Sequence, residues 1–140
     1  MNKKDVKKQS EGALLDKTTE FEIHFYESIL RRKPDFIEAL IAVGNLYTKK
    51  GYYNKGLAVD EKLFALRPDD PVILYNLACS YSLVGDLDRS LSTIKSAIYF
   101  GYEDLGYMER DRDLQNLRQD IRFQQFISNI RKSDPSDRKL

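Results

Sequence analysis

The sequence predicts an all-α fold of stacked helix pairs, a short solenoid closed by C-terminal capping helices. Three observations carry the prediction. Leu40, Gly51, Leu57, Leu66 and Pro68 recur in kind 34 positions later as Leu74, Gly85, Leu91, Phe100 and Tyr102. A fixed period of that length marks supersecondary units that bury their apolar faces by stacking on their neighbours. A glycine divides each unit, at Gly51 and Gly85. Within the first half of each unit, Leu40, Val43, Gly44 and Tyr47, like Leu74, Leu77, Ala78 and Tyr81, fall on one helical face.

The repeat holds column by column. Aligning 37–70 with 71–104 pairs Val43 with Leu77, Gly44 with Ala78, Tyr47 with Tyr81, Leu63 with Ala97 and Phe64 with Ile98. A partial upstream copy pairs Ile23 with Leu57, Ile29 with Leu63, Leu30 with Phe64 and Pro34 with Pro68. These residues resemble the tetratricopeptide repeat (TPR) family, whose pattern runs bulky, Leu, small, Tyr, Gly, small, aromatic, Ala, Pro. The resemblance covers 21 to about 100. It implies a TPR domain over 18–132, with a half repeat at 18–36, full repeats at 37–70 and 71–104, and a cap at 105–132.

Each element has a local signal. Residues 1–17 are charged and polar and read as a flexible or loosely helical segment. Thr19 with Glu22 forms a capping box that starts the first firm helix, and Pro34 stops it near Arg32. Asp35 caps a helix to about Lys50, Gly51 turns the chain, and a helix from Tyr53 to Leu66 ends before Pro68. Asp69 or Asp70 caps the next, with Pro71 in its first turn, and Gly85 breaks it. Asp86 or Asp88 opens a helix to about Phe100. Beyond Gly101, Asp104, Asp113 and Asp120 each begin a short capped piece. In the last, Phe123, Phe126, Ile127 and Ile130 form one apolar stripe, as an end cap requires, and the tail over 133–140 is polar and flexible. Gly44 and Ala78 are small where paired helices approach closely.

Composition bounds the function. With 41% hydrophobic residues and 23 basic against 22 acidic, net +1, the chain has an ordinary globular composition and no field to recruit nucleic acid or anionic lipid. Lys3, Lys4, Lys7 and Lys8 read as a solubilising segment. One Cys and one His exclude a disulfide framework and a Cys/His zinc site. The apolar run at Ala13 to Leu15 is too short for a targeting core, and no stretch approaches a membrane span, so cytoplasmic location is the expectation. His24 stands apart from any nucleophile, and Glu109, Asp111 and Asp113 alternate with Arg110 and Arg112, which favours helix capping over metal binding. No enzyme, cofactor or metal is expected.

The expected work is protein binding, as an adaptor, assembly factor, scaffold or co-chaperone. The first helices of successive units would line a concave groove through Glu38, Ile41, Asn45 and Thr48, then Val72, Tyr75, Cys79 and Ser82, which suits a peptide or protein segment. Asn76 joins this set, read chiefly as a hydrogen-bonding residue between neighbouring helices. Asn45 and Asn76 match two positions of the family's carboxylate clamp, but Ile41 stands where the clamp has lysine and the cap offers no helix for its last two cations. Asp60 occupies a column held by Tyr26 and Ile94, and is expected to be partly exposed or bonded to a tyrosine hydroxyl. The helix at 20–32 is apolar nearly all round, so either Ala13 to Leu15 folds back over it or another chain covers it. The alternative function is therefore a structural homo-oligomer built through Phe21 and Phe25. Tyr75→Glu would abolish partner binding and spare assembly, and Phe25→Glu would do the reverse.

Overall fold

The computed structural model describes residues 3–133, which form α1 (Lys3–Arg32), α2 (Ile37–Lys50), α3 (Tyr53–Leu66), α4 (Pro71–Leu83), α5 (Leu87–Tyr99), α6 (Leu105–Met108), a 3-10 turn at Arg112–Leu114, α7 (Gln115–Arg118) and α8 (Ile121–Ser133). There is no strand among them. The fold is all-α and of tetratricopeptide type. The chain divides into two compact units, Met1–Leu66 and Arg67–Leu140.

In the first unit, α2 and α3 form a hairpin and α1 packs on α2. Ile23 of α1 meets Val43 and Tyr47, with Tyr26, Leu30, Leu46 and Val59 against them. Gly51 sits in the left-handed region at φ 83° and its N–H bonds the carbonyl of Thr48 at 3.0 Å. Only glycine adopts that conformation without Cβ strain. Gly51→Ala is expected to cost about 1–2 kcal/mol, read as a lower urea midpoint. An unchanged midpoint would show that the turn relaxes. The two helices of the hairpin meet closely: a Cβ on Gly56 would lie 3.0 Å from Thr48 Oγ1, and one on Gly44 would lie 3.2 Å from Val59 Cγ1. Small residues are therefore a packing requirement at these positions.

Several expectations for this unit need correction. Thr19 does not cap a helix. It lies buried inside α1, which runs unbroken from Lys3, and its Oγ1 donates to the carbonyl of Leu15 at 3.0 Å. Residues 3–17, read as a flexible or loosely helical polar segment, are exposed helix continuous with the apolar half, and Lys50 ties that helix to the hairpin through Asp16 and through Glu20 at 3.2 Å. Asp35 likewise caps nothing: Phe36 is the N-cap of α2 with no side-chain bond, and Asp35 pairs with Lys62 at 3.4 Å. Asp60 is 7% exposed, which removes the first of its two expected states, partial exposure. Its Oδ1 lies on the Gly44 side of α3, 3.5 Å from where a Cβ on Gly44 would stand.

In the second unit, α4 and α5 pair across Gly85, at φ 85°. Asp70 caps α4 by accepting from the N–H groups of Val72 (2.9 Å) and Ile73 (3.2 Å), and Asp86 caps α5 by accepting from that of Arg89. Buried Ser90 donates to the carbonyl of Ala78 at 2.7 Å. The core continues without a break into the C-terminal pieces: Leu74, Ala78, Leu91, Ile94 and Ala97 pack with Met108, Leu114, Leu117, Phe123 and Ile127. The α8 stripe buries Phe123 and Ile127 and half-buries Phe126 and Ile130, leaving Arg122, Gln125, Ser128, Asn129 and Arg131 exposed. Asp111, not Asp113, caps the 3-10 turn, by accepting from the N–H of Asp113 at 3.0 Å. The expected 133–140 tail lies outside the described residues apart from Ser133.

Candidate functional site

The helix faces singled out in the sequence meet different fates. On α2, Glu38 and Asn45 are exposed and Ile41 is half-buried. Thr48 is half-buried, donates from Oγ1 to the carbonyl of Gly44 at 3.1 Å, and abuts Gly56 of α3, so it belongs to the hairpin contact. On α4, Val72 is exposed and Asn76 half-buried.

Tyr75, Cys79 and Ser82 are a correction. They are 4%, 6% and 0% exposed and present no binding surface. The 3-10 turn and α7 pack on α4 and cover them. Tyr75 stacks on Tyr102 with ring centroids 4.3 Å apart and an interplanar angle of 1°, and its hydroxyl donates to Asp111 Oδ2 at 2.6 Å. Burial pushes the Tyr75 hydroxyl far above its ordinary range, and the bond to Asp111 adds to the effect. It therefore remains a proton donor. Cys79 Sγ lies 3.9 Å from the same carboxylate oxygen. Ser82 Oγ accepts from the N–H of Leu117 at 3.1 Å, and its carbonyl accepts from the Asn116 amide at 2.9 Å. The first of these bonds satisfies a backbone N–H in the first turn of α7, where no intrahelical acceptor exists. Tyr75→Glu would consequently disrupt the core instead of testing a groove.

The residue that sequence reasoning missed is Asp111. One carboxylate both caps the 3-10 turn and receives the Tyr75 hydroxyl. Its alternation with arginines gave no sign of a long-range partner. Arg118 completes the arrangement by donating from Nη1 to the carbonyls of Met108, at 3.0 Å, and Asp111. Burial raises the Asp113 carboxyl above its ordinary range, and the Asp111 charge raises it further. A carboxyl whose pKa is raised on folding binds its proton more tightly in the native state, so its contribution to stability is lost as pH rises through the folded pKa. Asp113→Asn is expected to raise the melting temperature at neutral pH, with the gain vanishing below the ordinary carboxylate range. An equal gain at both pH values would exclude titration as the cause.

Glu109 pairs with Arg131, and among the described residues no group of three or more His, Cys, Asp or Glu side chains is placed to hold a metal ion. His24 is exposed, 3.9 Å from Glu27. On α1, Phe21 is 72% and Phe25 53% exposed. Among the described residues no helix is long and apolar enough to cross a membrane.

Paired helices, a glycine at each hairpin turn and a helical cap place the chain among all-α helical-repeat proteins. No family model matches it. It is similar in structure to MamA 41-end from Desulfovibrio magneticus RS-1, with a TM-score of 0.61 and 18% identity over 89% of this chain and 71% of that one. The MamA RS-1 ArsTM double mutant gives a TM-score of 0.60 and 18% identity over 84% and 70%. At that identity the likeness concerns the fold alone. In sequence it is similar to a chloroplastic protein of Arabidopsis thaliana, 29% identical over 110 residues, or 76% of this chain. The chain spans about a third of that relative's length, 31%.

Proposed function

We propose that this chain is a non-catalytic protein-binding module that engages a protein or peptide segment through the open face of α2. The carrying observation is the asymmetry of that helix: Leu40, Val43 and Tyr47 are buried, while Glu38 and Asn45 are exposed beside half-buried Ile41. An apolar side chain flanked by an amide and a carboxylate is a surface for contact, with an anchor and polar groups to set register. Val72 and Asn76 offer a smaller set of the same kind on α4. Helix-pair repeats are shared scaffolds, so the partner is chosen by such surface residues. The proposal places the protein among adaptors, assembly factors and co-chaperones acting in the cytoplasm, with no cofactor and no nucleic acid partner. Crosslinking mass spectrometry in native extract, comparing the wild-type chain with a folded Asn45→Arg variant, tests it. A partner crosslinked to α2 and lost in the variant is the expected result, and an unchanged set of partners counts against this face.

A second reading rests on Phe21 and Phe25. Ala13 to Leu15 continue the α1 helix instead of folding back over these rings, and both are mostly exposed among the described residues. We infer that a second copy covers them, giving a homo-oligomer. Phe25→Glu is expected to reduce the mass measured by light scattering to that of a monomer. A wild-type chain that is already monomeric at high concentration excludes this reading.

A further inference from the structure

Leu14, Thr18, Phe21 and Phe25 follow one another at spacings of 4, 3 and 4, so they fall on a single stripe of α1. Leu14, Phe21 and Phe25 are each more than half exposed. Ile23, two residues from either ring and therefore on the far side of the helix, makes the contact with Val43 and Tyr47. The stripe thus faces away from the hairpin. Thr18 suits a dry contact, because its Oγ1 donates to the carbonyl of Leu14 at 3.0 Å and brings no unmet donor into it. The Phe25 ring rests edge-on against Tyr26, with centroids 5.2 Å apart. Glu11 and Ser28, the next positions of the same stripe, are polar and bound it at its two ends.

Charge decides how a second copy meets this stripe. Lys17 lies on one flank of it and Glu22 on the other, and both are exposed. When two such helices run parallel and in register, each flank faces the opposite flank of its partner, and Lys17 meets Glu22 of the second copy on both edges. In an antiparallel pair each flank faces its own kind, so Lys17 meets no Glu22. We propose that two copies join through a parallel, in-register two-helix seam over 14–25. Leu14, Thr18, Phe21 and Phe25 each pack against their counterparts, and Lys17 pairs with Glu22 across both edges. This rests on the homo-oligomer reading above and fixes its stoichiometry, orientation and register, as a closed two-fold dimer. Because α1 is already a helix, held to the hairpin through Lys50, the pairing carries no cost of helix nucleation.

Sedimentation equilibrium of the full chain, with circular dichroism to verify folding, tests it by exchange of charge. Lys17→Glu and Glu22→Lys each place like charges across the seam and are expected to weaken dimerisation about tenfold, while the double variant restores it. Mild oxidation of a Glu11→Cys variant is expected to link two copies by a disulfide, because in register the two positions adjoin, while native Cys79 is buried. Antiparallel helices paired Leu14 to Phe21 would hold these cysteines roughly 20 Å apart. A wild-type chain that is monomeric at high concentration overturns the homo-oligomer reading and this proposal with it. A dimer that Phe25→Glu dissociates overturns the parallel seam alone if it ignores the charge variants, is not restored by the double variant or yields no crosslink. An assembly of more than two copies does the same.

Discussion

Tyr75→Ala is expected to destabilise the second unit by about 3–5 kcal/mol, the usual cost of truncating a buried aromatic ring. The ring is 4% exposed, lies parallel to Tyr102 and carries the hydroxyl that meets Asp111. Truncation leaves a void beneath the 3-10 turn and removes the donor from a half-buried carboxylate. Tyr75→Phe separates these effects, because it keeps the ring and deletes only the hydroxyl. It is expected to cost about 1–3 kcal/mol, the penalty for losing one partner of a buried hydrogen bond. Urea unfolding followed by circular dichroism reads both. A domain of this size has only about 5–15 kcal/mol of stability, so the alanine variant should be visibly unfolded at moderate urea. A loss below about 1 kcal/mol for Tyr75→Ala would show that the contact with Tyr102 and Asp111 does not persist in solution.

Leu117→Ala is the second large effect, at about 2–5 kcal/mol for a buried leucine. Leu117 is fully buried where α7 meets α4, α5 and α8, and its N–H is held by Ser82. The C-terminal module consists of α-helical pieces of four residues (α6 and α7), a single 3-10 turn and α8. Pieces that short have no stability apart from tertiary packing. The cavity should therefore appear as loosening of the whole module, with amide exchange rising across 105–133. Exchange confined to α7 would indicate that α6 and α8 are held independently. Ser82→Ala, which leaves the Leu117 N–H buried without its acceptor, should produce a smaller change of the same kind.

These two sites also mark where sequence reading ended. The repeat period, the turn glycines at 51 and 85, an aspartate cap for α4 and for α5, each narrowed to two candidates, and the one-sided stripe of α8 were all legible, because each is a local signal. A capping carboxylate needs only the next turn of its own helix. Thr19 shows the weakness of that logic: the capping-box pattern is present, but the preceding residues continue the helix and its hydroxyl bonds back to Leu15. Asp111 was legible as a cap, but its bond to Tyr75, 36 positions away, left no trace in the spacing.

The candidate face was only half legible for the same reason. Helical periodicity places Glu38, Ile41 and Asn45 on one stripe of α2, and Tyr75, Cys79 and Ser82 on the corresponding stripe of α4. It cannot say what packs on either. On α4 the C-terminal module covers that stripe, while Glu38 and Asn45 on α2 remain exposed. The same holds for α1, whose half over 20–32 reads as apolar nearly all round although only the side carrying Thr19 and Ile23 is buried.

By itself, then, the amino-acid sequence determined the helices, their pairing at glycine turns and the helical cap, because backbone propensity and the apolar period act over a few residues. Only the tertiary structure decided which helix faces are covered, that Asp111 joins Tyr75, and that Phe21 and Phe25 stay exposed. Burial is a property of two surfaces at once, and the second surface comes from residues distant in the chain.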